Sequence, residues 1–567
     1  MKRRHKLGLA SAALTAVLVA IVATTDSHGS TRAADAPRPN ILVLETDDQT
    51  LAEMEVLPNV RRLIGAEGVT FDNNFDSFSL CCPSRATLLT GQYSHNNGVR
   101  SNKEPYGGYY KLDSTNTLAV WLQQAGYYTV HVGKYLNGYG TRNKTEVPPG
   151  WSEWHGAVDP STYRYYGYTL NENGTLHTYC ARPEPACYQT DVYRDKADAV
   201  IRSRADRSAA QPWFMWVAFL ADHSGGPKEP GDPANMNTPV PAPRYRDALK
   251  GTSLPQPPSF NEADVSDKPA RIRSLAPMTP RQIAAVQENW QQRRETLLAV
   301  DDAVESIVET LRATGQLDNT LILFTSDNGF FHGEHRVRQG KVLLYEPSIR
   351  VPLLMRWTGN RTLPRGVHRK QLTMNVDYAE TMLAAAGETA RPGRIEDGLS
   401  LLPLWRDAGK EPGRDLLIDN QPGPGHFDAI RTRNYIYAEH ANGDHELYDL
   451  RKDPFELQSE HANPAYASLK RLLAGRLHNL VSCAGASCRS RPAAALRTTR
   501  HGCAVTANVV GRGIRSVAFS LNRHGLRSDT RAPFRANVVV RGSGLLRARI
   551  VFGGDRLLSL DRPVVGC

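Results

Sequence analysis

The chain has 567 residues, of which 40% are apolar and 22% are charged, and its formal net charge at pH 7 is +11. These fractions are ordinary for a soluble globular protein, and the length allows one large domain with accessory pieces. They exclude an intrinsically disordered chain and a collagen-like fibre.

The first 35 residues have the pattern of an export signal. Residues 2–6 carry four Lys or Arg side chains, and residues 7–25 are rich in Ala, Leu and Val. A polar segment with small residues follows at 26–35, which is typical of a cleaved signal peptide. An uncleaved membrane anchor is the alternative, because the apolar run approaches the ~20 residues that span a bilayer. Both interpretations predict export, and we expect residues 1–35 to be a signal peptide of a secreted protein.

Four short apolar runs predict buried strands separated by helices. The runs are residues 40–45, 127–132, 213–220 and 320–325. Thr279 and Pro280 predict the start of a long helix, because threonine caps helices and proline suits the first helical position. Apolar residues then recur at helical spacing from Leu297 to Leu311, and Gly315 predicts the end of the helix. Strands that alternate with helices predict an α/β fold with a mainly parallel sheet covered on both faces.

The second half of the chain divides by composition. Residues 223–278 are rich in Pro and Gly and predict a long surface loop. We expect a main domain over residues 38–370, a smaller C-terminal α+β subdomain over 371–480 and a linker over 481–502. Residues 503–567 predict a small all-β domain, because they contain apolar runs at 517–521, 536–540 and 546–552.

The charge is concentrated in the tail. Residues 489–567 contain 15 Arg, no Lys, no Glu and three Asp, so their net charge is +12 and the rest of the chain sums to −1. A basic tail beside a near-neutral body favours contact with an anionic polymer, such as an anionic polysaccharide or cell-wall polymer. A solvated basic surface without a partner is an equally good interpretation. We expect no nucleic-acid partner.

Six of the eight cysteines form plausible pairs. The pairs are Cys180 with Cys187, Cys483 with Cys488, and Cys503 with Cys567. Disulfides are favoured outside the cytosol, and the first two would close short loops. Cys81 and Cys82 are left over and adjacent to each other.

The segment that contains these two cysteines is the most specific in the chain. Residues 79–91 read SLCCPSRATLLTG. This segment resembles the signature of the formylglycine-dependent sulfatases, Cys-x-Pro-Ser-Arg followed by x-x-x-Leu-Thr-Gly. The resemblance implies that Cys81 is oxidised to formylglycine (3-oxoalanine) by a formylglycine-generating enzyme, while Cys82 occupies the variable position. It also implies an alkaline-phosphatase-like sulfatase fold, with residues 38–370 as its catalytic domain.

The residue types around Cys81 support anion chemistry independently of the resemblance. Pro83 suits the first turn of a helix, so Cys81 is expected at a helix N-terminus, where free N–H groups favour an anion. Arg85 could bind a sulfate oxygen by a charge-assisted hydrogen bond. A structural pair of neighbouring cysteines, or a metal site, is the alternative.

Two pairs of polar residues directly follow predicted strands. Asp47 and Asp48 follow the first strand, and Asp327 and Asn328 follow the strand at 320–325. Ligands of α/β sheets bind beyond the carboxyl ends of strands, and hard oxygen ligands suit Ca²⁺, or with less preference Mg²⁺, and not zinc. Each pair alone is more often a turn or a helix cap. The resemblance assigns all four residues to a calcium site that the modified Cys81 completes.

The resemblance extends to further site residues in the same order along the chain. It implies that Lys134 and Lys341 bind sulfate and that His223 protonates the leaving alcohol, whereas a solvated lysine or a capped loop histidine is the alternative. Many arylsulfatases carry a histidine just after the first lysine, and Asn137 could partly replace it here. His335 could line the pocket near the metal pair.

Other segments resemble one branch of the family. Residues 147–154 and 168–174, together with the doubled cysteine, resemble N-acetylglucosamine-6-sulfatases, and residues 446–456 resemble a motif of the sulfatase C-terminal region. The resemblance covers about residues 39–480 and omits the tail. It implies a sulfuric ester hydrolase that acts on a sulfated carbohydrate or an aryl sulfate. A phosphonate or phosphate ester hydrolase of the same superfamily and a non-catalytic polyanion-binding protein are the alternatives.

Overall fold

The computed structural model describes residues 38–180, 184–207, 211–391, 393–490, 494–511, 513–552, 557–565 and 567. The predicted signal peptide lies outside the described residues. Within them, ten strands form one large sheet. They are β1 (Asn40–Thr46), β2 (Val69–Phe75), β3 (Tyr128–Gly133), β4 (Glu153–Ala157), β5 (Tyr168–Glu172), β6 (Thr175–Tyr179), β7 (Trp213–Ala218), β8 (Thr320–Ser326), β9 (Leu353–Arg356) and β10 (Val367–Met374).

The centre of this sheet is parallel. The strand order is β10-β2-β9-β8-β1-β7-β3-β4-β5-β6, and every pair from β8 to β4 is parallel. Antiparallel pairs occur where β9 joins its neighbours and at the β5–β6 edge. The four predicted strands are β1, β3, β7 and β8, and they are adjacent in the order β8-β1-β7-β3. The prediction of a mainly parallel sheet is confirmed.

The sequence of β1 explains why this strand is central. Its residues are all buried, and they alternate between two apolar clusters on opposite faces of the sheet. Leu42 and Leu44 belong to one cluster, and Ile41 and Val43 belong to the other. Successive strand residues point to opposite faces, so a continuous apolar run fills both layers. Burying each such side chain contributes roughly 1.5–3 kcal/mol.

Helices cover both faces of the large sheet, and others pack beyond it. The helices of the described residues are α1 (Pro58–Val60), α2 (Cys81–Thr90), α3 (Ser94–Asn97), α4 (Leu118–Gln124), α5 (Gln189–Ser203), α6 (Ala270–Arg273), α7 (Pro280–Ala313), α8 (Glu346–Ile349), α9 (Asp377–Ala386), α10 (Leu402–Arg406) and α11 (Ala467–Leu480). Residues of α5 and α7 pack in one apolar cluster, and residues of α2, α4 and α9 pack in the other.

The long helix α7 begins as predicted. The Thr279 side chain accepts a hydrogen bond from the Gln282 N–H, and the Gln282 side chain accepts one from the Thr279 N–H. This reciprocal capping box satisfies two N–H groups that the first helical turn leaves free. The helix ends at Ala313, and Gly315 follows with a φ of +69°, which suits glycine.

A smaller antiparallel sheet follows the large one. Its strands are β11 (Leu416–Asp419), β12 (Phe427–Arg431), β13 (Tyr435–His440) and β14 (His445–Asp449), and α11 contacts it. The predicted boundary between residues 370 and 371 falls inside β10, which pairs with β2 in the large sheet. Cys483 and Cys488, in the predicted linker, are buried in the apolar cluster of this region.

The tail is a two-sheet β structure with its own apolar cluster. One sheet contains β15 (Ala494–His501), β16 (Ala504–Gly511) and β19 (Phe534–Val539). The other contains β17 (Ile514–Leu521), β18 (His524–Asp529), β20 (Ser543–Phe552) and β21 (Leu557–Val565). The buried side chains of the two sheets form one cluster. The first strand begins inside the predicted linker, and β21 contacts α11.

All three predicted disulfides form. They join Cys180 to Cys187, Cys483 to Cys488, and Cys503 to Cys567, whereas Cys81 and Cys82 are free and buried. Closing a loop in this way stabilises a fold mainly by restricting the unfolded chain. Over the part of the chain that the structure describes, no helix combines the length and apolar character that a bilayer crossing requires.

Candidate active site

Four adjacent parallel strands end at the same edge of the large sheet, and each is followed by predicted site residues. Asp47 and Asp48 follow β1, and Asp327 and Asn328 follow β8, with which β1 is in register from end to end. Lys134 follows β3 directly, and His223 lies a few residues beyond β7. This parallel arrangement collects side chains from distant parts of the sequence.

The four predicted calcium ligands lie together and are buried. The Asp48 N–H donates to Asp327 Oδ1 at 3.1 Å, and Asn328 Nδ2 donates to Asp48 Oδ1 at 2.6 Å. Single ligand atoms of Asp47, Asp48, Cys81 and His223 lie within 4.8 Å of one another. The geometry therefore supports a common centre.

The Asn328 amide fits a cation at this centre. Its Oδ1 is buried without a hydrogen-bond partner among the described residues. Rotating the amide by half a turn would exchange its oxygen and nitrogen and direct the oxygen toward Asp48 Oδ1. Two oxygens that close repel each other unless a cation lies between them. The donor set of three carboxylates and one amide oxygen suits a hard ion such as Ca²⁺.

Asp48 has a strained backbone. Its φ is +78°, a region that residues other than glycine rarely adopt. Arg293, which lies on α7, donates to the Asp48 carbonyl oxygen at 2.7 Å and pairs with Asp222 at 2.7 Å. These contacts, together with the bond to Asp327, hold Asp48 in this conformation, as is common at functional sites.

Cys81 is the first residue of α2, as the position of Pro83 predicts. Its Sγ lies 3.5 Å from Asp47 Oδ1 and 2.8 Å from Lys341 Nζ. Burial and the Asp47 carboxylate raise the pKa of the Cys81 thiol to about 12 despite the nearby ammonium groups. An unmodified Cys81 is therefore a protonated thiol at neutral pH and a weak nucleophile, since the thiolate is the reactive form.

Cys82 has a different environment. It is fully buried in the apolar cluster with Ala86 and Leu89, and its backbone N–H donates to Asn102 Oδ1 at 2.9 Å. Its thiol packs in the core as a small apolar group does. The two adjacent cysteines thus differ in environment: Cys81 faces Asp47 and Lys341, and Cys82 packs in the core.

Three cations surround the carboxylates. Arg85 Nε donates to Asp327 Oδ2 at 2.8 Å, and its Nη1 lies 3.3 Å from Glu45 Oε2. Lys134 forms an ion pair with Asp47, and Lys341 forms one with Asp48. Val342, next to Lys341, has a φ of +70°, an uncommon conformation for a β-branched residue that marks the Lys341 turn as strained.

Burial and neighbouring charges act in opposite directions on these acids. Burial alone would raise the pKa of Asp47 and Asp48, but neighbouring cations, chiefly Lys134 for Asp47 and Lys341 for Asp48, hold both pKa values below the ordinary range. Burial and the charge of Asp47 raise the pKa of Asp327. Three carboxylates, Asp47, Asp48 and Asp327, face the three cations Arg85, Lys134 and Lys341, and burial raises the pKa of the neighbouring Glu45 to about 8. A bound cation would add positive charge that favours the ionised form of these acids.

His223 faces the carboxylates with one ring nitrogen. Its Nδ1 lies 2.6 Å from the Ser224 carbonyl oxygen, which can only accept, so Nδ1 carries a hydrogen. Its Nε2 lies 3.8 Å from Asp48 Oδ2. Burial lowers the pKa of His223, although Asp47 and Asp48 oppose this effect. A protonated His223 would therefore be a stronger acid than a free imidazolium.

Two predicted site residues, Asn137 and His335, form their hydrogen bonds away from the cluster of carboxylates and cations. Asn137 Nδ2 donates to the Tyr163 hydroxyl at 2.5 Å, and the Tyr163 ring in turn lies beside Lys134. His335 Nδ1 lies 2.6 Å from Glu262 Oε2, and its ring centroid is 4.2 Å from that of Tyr345. The other nine predicted residues come together at the edge of the sheet and form what we call the charged centre: Asp47, Asp48, Cys81, Arg85, Lys134, His223, Asp327, Asn328 and Lys341.

The structure adds three residues to the site that sequence patterns did not indicate. The Tyr163 ring lies 4.9 Å from Lys134 Nζ and 5.1 Å from the His223 ring. Glu45 pairs with Arg85, and Arg293 holds Asp48. Glu45 lies next to the last residue of the buried strand β1, and a carboxylate within an apolar run is a sequence signal for a buried charge with a partner. Tyr163 and Arg293 belong to a short turn and a long helix that carry no motif.

Comparisons with known protein families agree along most of the chain. The sulfatase family model matches residues 39–388, and the model described as the C-terminal region of N-sulphoglucosamine sulphohydrolase matches residues 333–482. N-acetylglucosamine-6-sulfatase of Homo sapiens is 36% identical over 69% of this chain and 68% of its own length. Arylsulfatase of Volvox carteri is 32% identical over 81% of this chain and 77% of its own length.

Solved structures share the fold. A protein solved in complex with its substrate D-glucosamine-2-N,6-O-disulfate is 25% identical, with a TM-score of 0.64 over 78% of this chain and 97% of that one. Phosphonate monoester hydrolase of Agrobacterium radiobacter is 21% identical, with a TM-score of 0.60 over 78% of this chain and 96% of that one. The second likeness shows the common fold alone.

Proposed function

The chain belongs to the sulfatase family and is a sulfuric ester hydrolase, and we propose that it removes sulfate from a sulfated sugar with a formylglycine formed from Cys81 and a bound Ca²⁺. The observation that carries this proposal is the position of Cys81. It begins a helix, and its Sγ lies beside Asp47, Asp48, His223 and Lys341. Its place in the Cys-x-Pro-Ser-Arg segment supports conversion of the thiol to formylglycine.

Asp47, Asp48, Asp327 and Asn328, with the modified Cys81, would hold the ion. When both groups are present, the hydrated aldehyde would supply the nucleophilic hydroxyl and Ca²⁺ would supply Lewis-acid chemistry. Three oxygen ligands come from carboxylates that neighbouring residues already fix in place. Because these side chains are already ordered, less conformational entropy is lost when the ion binds.

The cations of this chain would bind and orient the sulfate group. Lys134 and Lys341 contact the carboxylates in the structure, and each would shift its ammonium toward sulfate oxygens once a metal neutralises its present partner. Arg85 is bonded to Asp327 and Glu45, so it contributes positive charge while it orients a ligand. Because these positive charges are already in place, the side chains need not reorganise when negative charge develops around sulfur in the transition state.

His223 would give a proton to the alcohol that leaves. Its Nδ1–H is held by the Ser224 carbonyl oxygen, so the ring is fixed and Nε2 is directed to the centre. The S–O bond to the sugar breaks, and the sugar oxygen takes the proton from Nε2. The lowered pKa of His223 favours this transfer, since a weaker base releases its proton more readily.

A matched pair of esters tests the substrate class. We expect N-acetylglucosamine 6-sulfate to be cleaved at least ~100-fold more efficiently than N-acetylglucosamine 6-phosphate, because charge and geometry at the transferred group decide such discrimination. Mass spectrometry of the products gives kcat/KM for both. Faster loss of phosphate would identify a phosphate or phosphonate ester hydrolase, and an aryl sulfate as the better substrate would exclude the sugar.

We propose that the protein acts after export from the cytosol. Residues 1–35 have the pattern of a signal peptide. Three disulfides support the same location, because such bonds persist in oxidising compartments.

We further propose that the tail binds an anionic polysaccharide or cell-wall polymer. In the first tail sheet, Arg497 and Arg535 lie on either side of Asn508 in register, and both are exposed. In the second sheet, the exposed Arg547 and Arg549 alternate with the buried Ala548. Because strand side chains alternate, the arginines project from the outer faces while apolar residues fill the interior.

Substitution of tail arginines tests this surface without removing β21, which contacts α11. The triple variant Arg497→Gln, Arg535→Gln and Arg549→Gln should weaken binding to heparin about tenfold or more at 0.1 M salt. Each surface arginine contributes ~1 kcal/mol to binding an anionic surface, and salt screening reduces this contribution. Its rate on a small sulfated substrate should stay the same. Affinity chromatography over a salt series measures retention.

The matched control removes three exposed arginines from the body of the protein: Arg61→Gln, Arg62→Gln and Arg312→Gln. The proposal expects nearly normal retention for this variant. Equal losses in both variants would mean that only the net charge matters, and salt-independent retention would mean that the tail arginines do not bind the polymer.

A further inference from the structure

A cavity lies beside the charged centre and is lined by other residues. Its volume is about 620 Å³, and it is bounded by segments near residues 50–52, 254–259, 330–335, 346–350 and 454–456. Ligand cavities are typically ~300–1,000 Å³. We propose that this cavity binds one uncharged saccharide unit, by stacking on aromatic rings and by hydrogen bonds to buried groups that have no protein partner. The inference goes beyond the proposed function, since no hydrolytic step uses these residues.

The lining is mainly apolar and contains three aromatic side chains. Trp290 and Phe330 are almost fully buried, whereas Phe455 is 41% exposed. Pro255 and Pro257 add further apolar surface. Arg293 lies over the Phe330 ring and Arg294 over the Trp290 ring, so Phe455 is the exposed ring of the three. A pyranose ring has an apolar face of C–H groups, and a flat aromatic surface such as that of Phe455 is suited to pack against it. The exposed Phe455 is a large apolar side chain at the rim that a bound ligand would cover.

Two buried side chains that line the cavity each have one polar atom without a protein partner among the described residues. His335 is fully buried, and its Nε2 has no hydrogen-bond partner among the described residues, although Nδ1 is held by Glu262. Glu456 is also buried. Its Oε1 has no hydrogen-bond partner among the described residues, whereas its Oε2 accepts a hydrogen bond from the Glu346 N–H. A buried polar atom left unpaired costs about 1–3 kcal/mol. A ligand that supplies hydroxyl groups would remove this cost.

Hydroxyl groups match these atoms better than an anion does. A hydroxyl both donates and accepts, so it can pair with His335 Nε2 in either tautomer of the imidazole. Burial and the neighbouring Glu346 raise the pKa of Glu456 well above its ordinary value, which favours an uncharged carboxyl. Both atoms therefore suit a neutral polyhydroxy ligand.

The cavity offers no free cation to a sulfate group. Among the described residues that line it, Arg350 is the one guanidinium, and it donates to the Asp72 carbonyl oxygen at 2.6 and 3.1 Å. Glu334 and Glu346 add carboxylates. The charged centre differs, because Lys134 and Lys341 lie beside Cys81 there. The expected occupant is therefore an unsulfated sugar unit.

The cavity is linked to the charged centre through buried side chains. His332 Nε2 lies 3.4 Å from Glu53 Oε1, and Glu53 pairs with Arg293 at 3.2 Å. Arg293 in turn holds the Asp48 carbonyl oxygen. The two sites are thus neighbours with separate lining residues, and binding at one can be measured while the other is disabled.

The test uses N-acetylglucosamine and its β-1,4-linked disaccharide as probes, with binding measured by ligand-observed NMR titration of the full-length protein. We expect both probes to bind to the wild-type protein and to bind three- to tenfold more weakly to Phe455→Ala. This change in affinity corresponds to the loss of one aromatic contact, which contributes ~0.5–1.5 kcal/mol. Leu176→Ala is the matched control, because Leu176 is 40% exposed and lies on β6 outside the cavity. It should bind both probes as wild type does.

A variant disabled at the charged centre separates the two sites. Cys81→Ala should bind the unsulfated probes with wild-type affinity, and Phe455→Ala should cleave a small sulfated substrate at the wild-type rate. The proposal is overturned if neither probe binds at millimolar concentration, if Phe455→Ala binds them unchanged, or if Cys81→Ala loses the binding. Each of these results leaves the test of sulfate hydrolysis unaffected.

Discussion

Cys81→Ala is expected to lose sulfatase activity by a factor of ~10⁴ or more, the order found when a nucleophile is removed from an enzyme. The substitution removes the side chain that would become the attacking group. It leaves the carboxylates, Lys134 and Lys341 in place. The fold should persist, because alanine is a good helix former at the start of α2. Initial rates on N-acetylglucosamine 6-sulfate and a circular dichroism melt measure both effects.

Cys82→Ala is the matched control for this experiment. Cys82 is the adjacent residue of the same type, but its thiol packs in the core and not at the charged centre. We expect a loss of stability of about 1 kcal/mol from the missing sulfur and activity within a few-fold of wild type. If Cys82→Ala were inactive and Cys81→Ala active, the assignment of the nucleophile would be reversed.

Asp327→Ala should lower activity by more than ~100-fold, because loss of groups that merely support metal ligands already costs 10- to 100-fold. Asp327 accepts hydrogen bonds from the Asp48 N–H and from Arg85, so its removal also loosens Asp48, a second proposed ligand. Calcium affinity should fall in parallel. Isothermal titration with Ca²⁺ after chelation, together with initial rates, tests both effects.

Asp301→Ala controls for the loss of a buried carboxylate as such. Asp301 lies on α7 and accepts hydrogen bonds from the Asn59 and Val60 N–H groups at 3.0 Å each, away from the charged centre. Its removal should reduce the free energy of unfolding by about 1–2 kcal/mol and leave calcium affinity unchanged. Equal calcium affinity in Asp327→Ala and wild type would show that Asp327 is not a ligand.

The elements that build the site could be predicted because their signals are local. The apolar runs of β1, β3, β7 and β8 are long enough to be recognised, and polar residues follow β1 and β8 directly. Since parallel strands deliver their carboxyl ends to one edge, strand prediction also placed Asp47 and Asp327 near each other. The capping residues of α7 likewise act over a single turn.

The remaining features depend on contacts between distant segments. Arg293 lies within a long helix, and only the packing of α7 brings its guanidinium to Asp48. Tyr163 belongs to a short turn whose position beside Lys134 has no sequence signature. His335 follows Asn328 closely in sequence, yet a strained turn with a φ of +49° directs it to Glu262. This turn, and not the short sequence distance from Asn328, sets the place of His335 in the lining of the neighbouring cavity.

The most direct test of the proposed nucleophile is the mass of the peptide that contains Cys81, taken from exported and active protein. Conversion of the thiol to an aldehyde makes the residue about 18 Da lighter, and Cys82 in the same peptide should keep its ordinary mass. We predict that the fraction of lighter peptide equals the fraction of active enzyme across preparations from hosts with and without the maturation enzyme. Full activity in a preparation whose Cys81 is entirely unmodified would contradict the account.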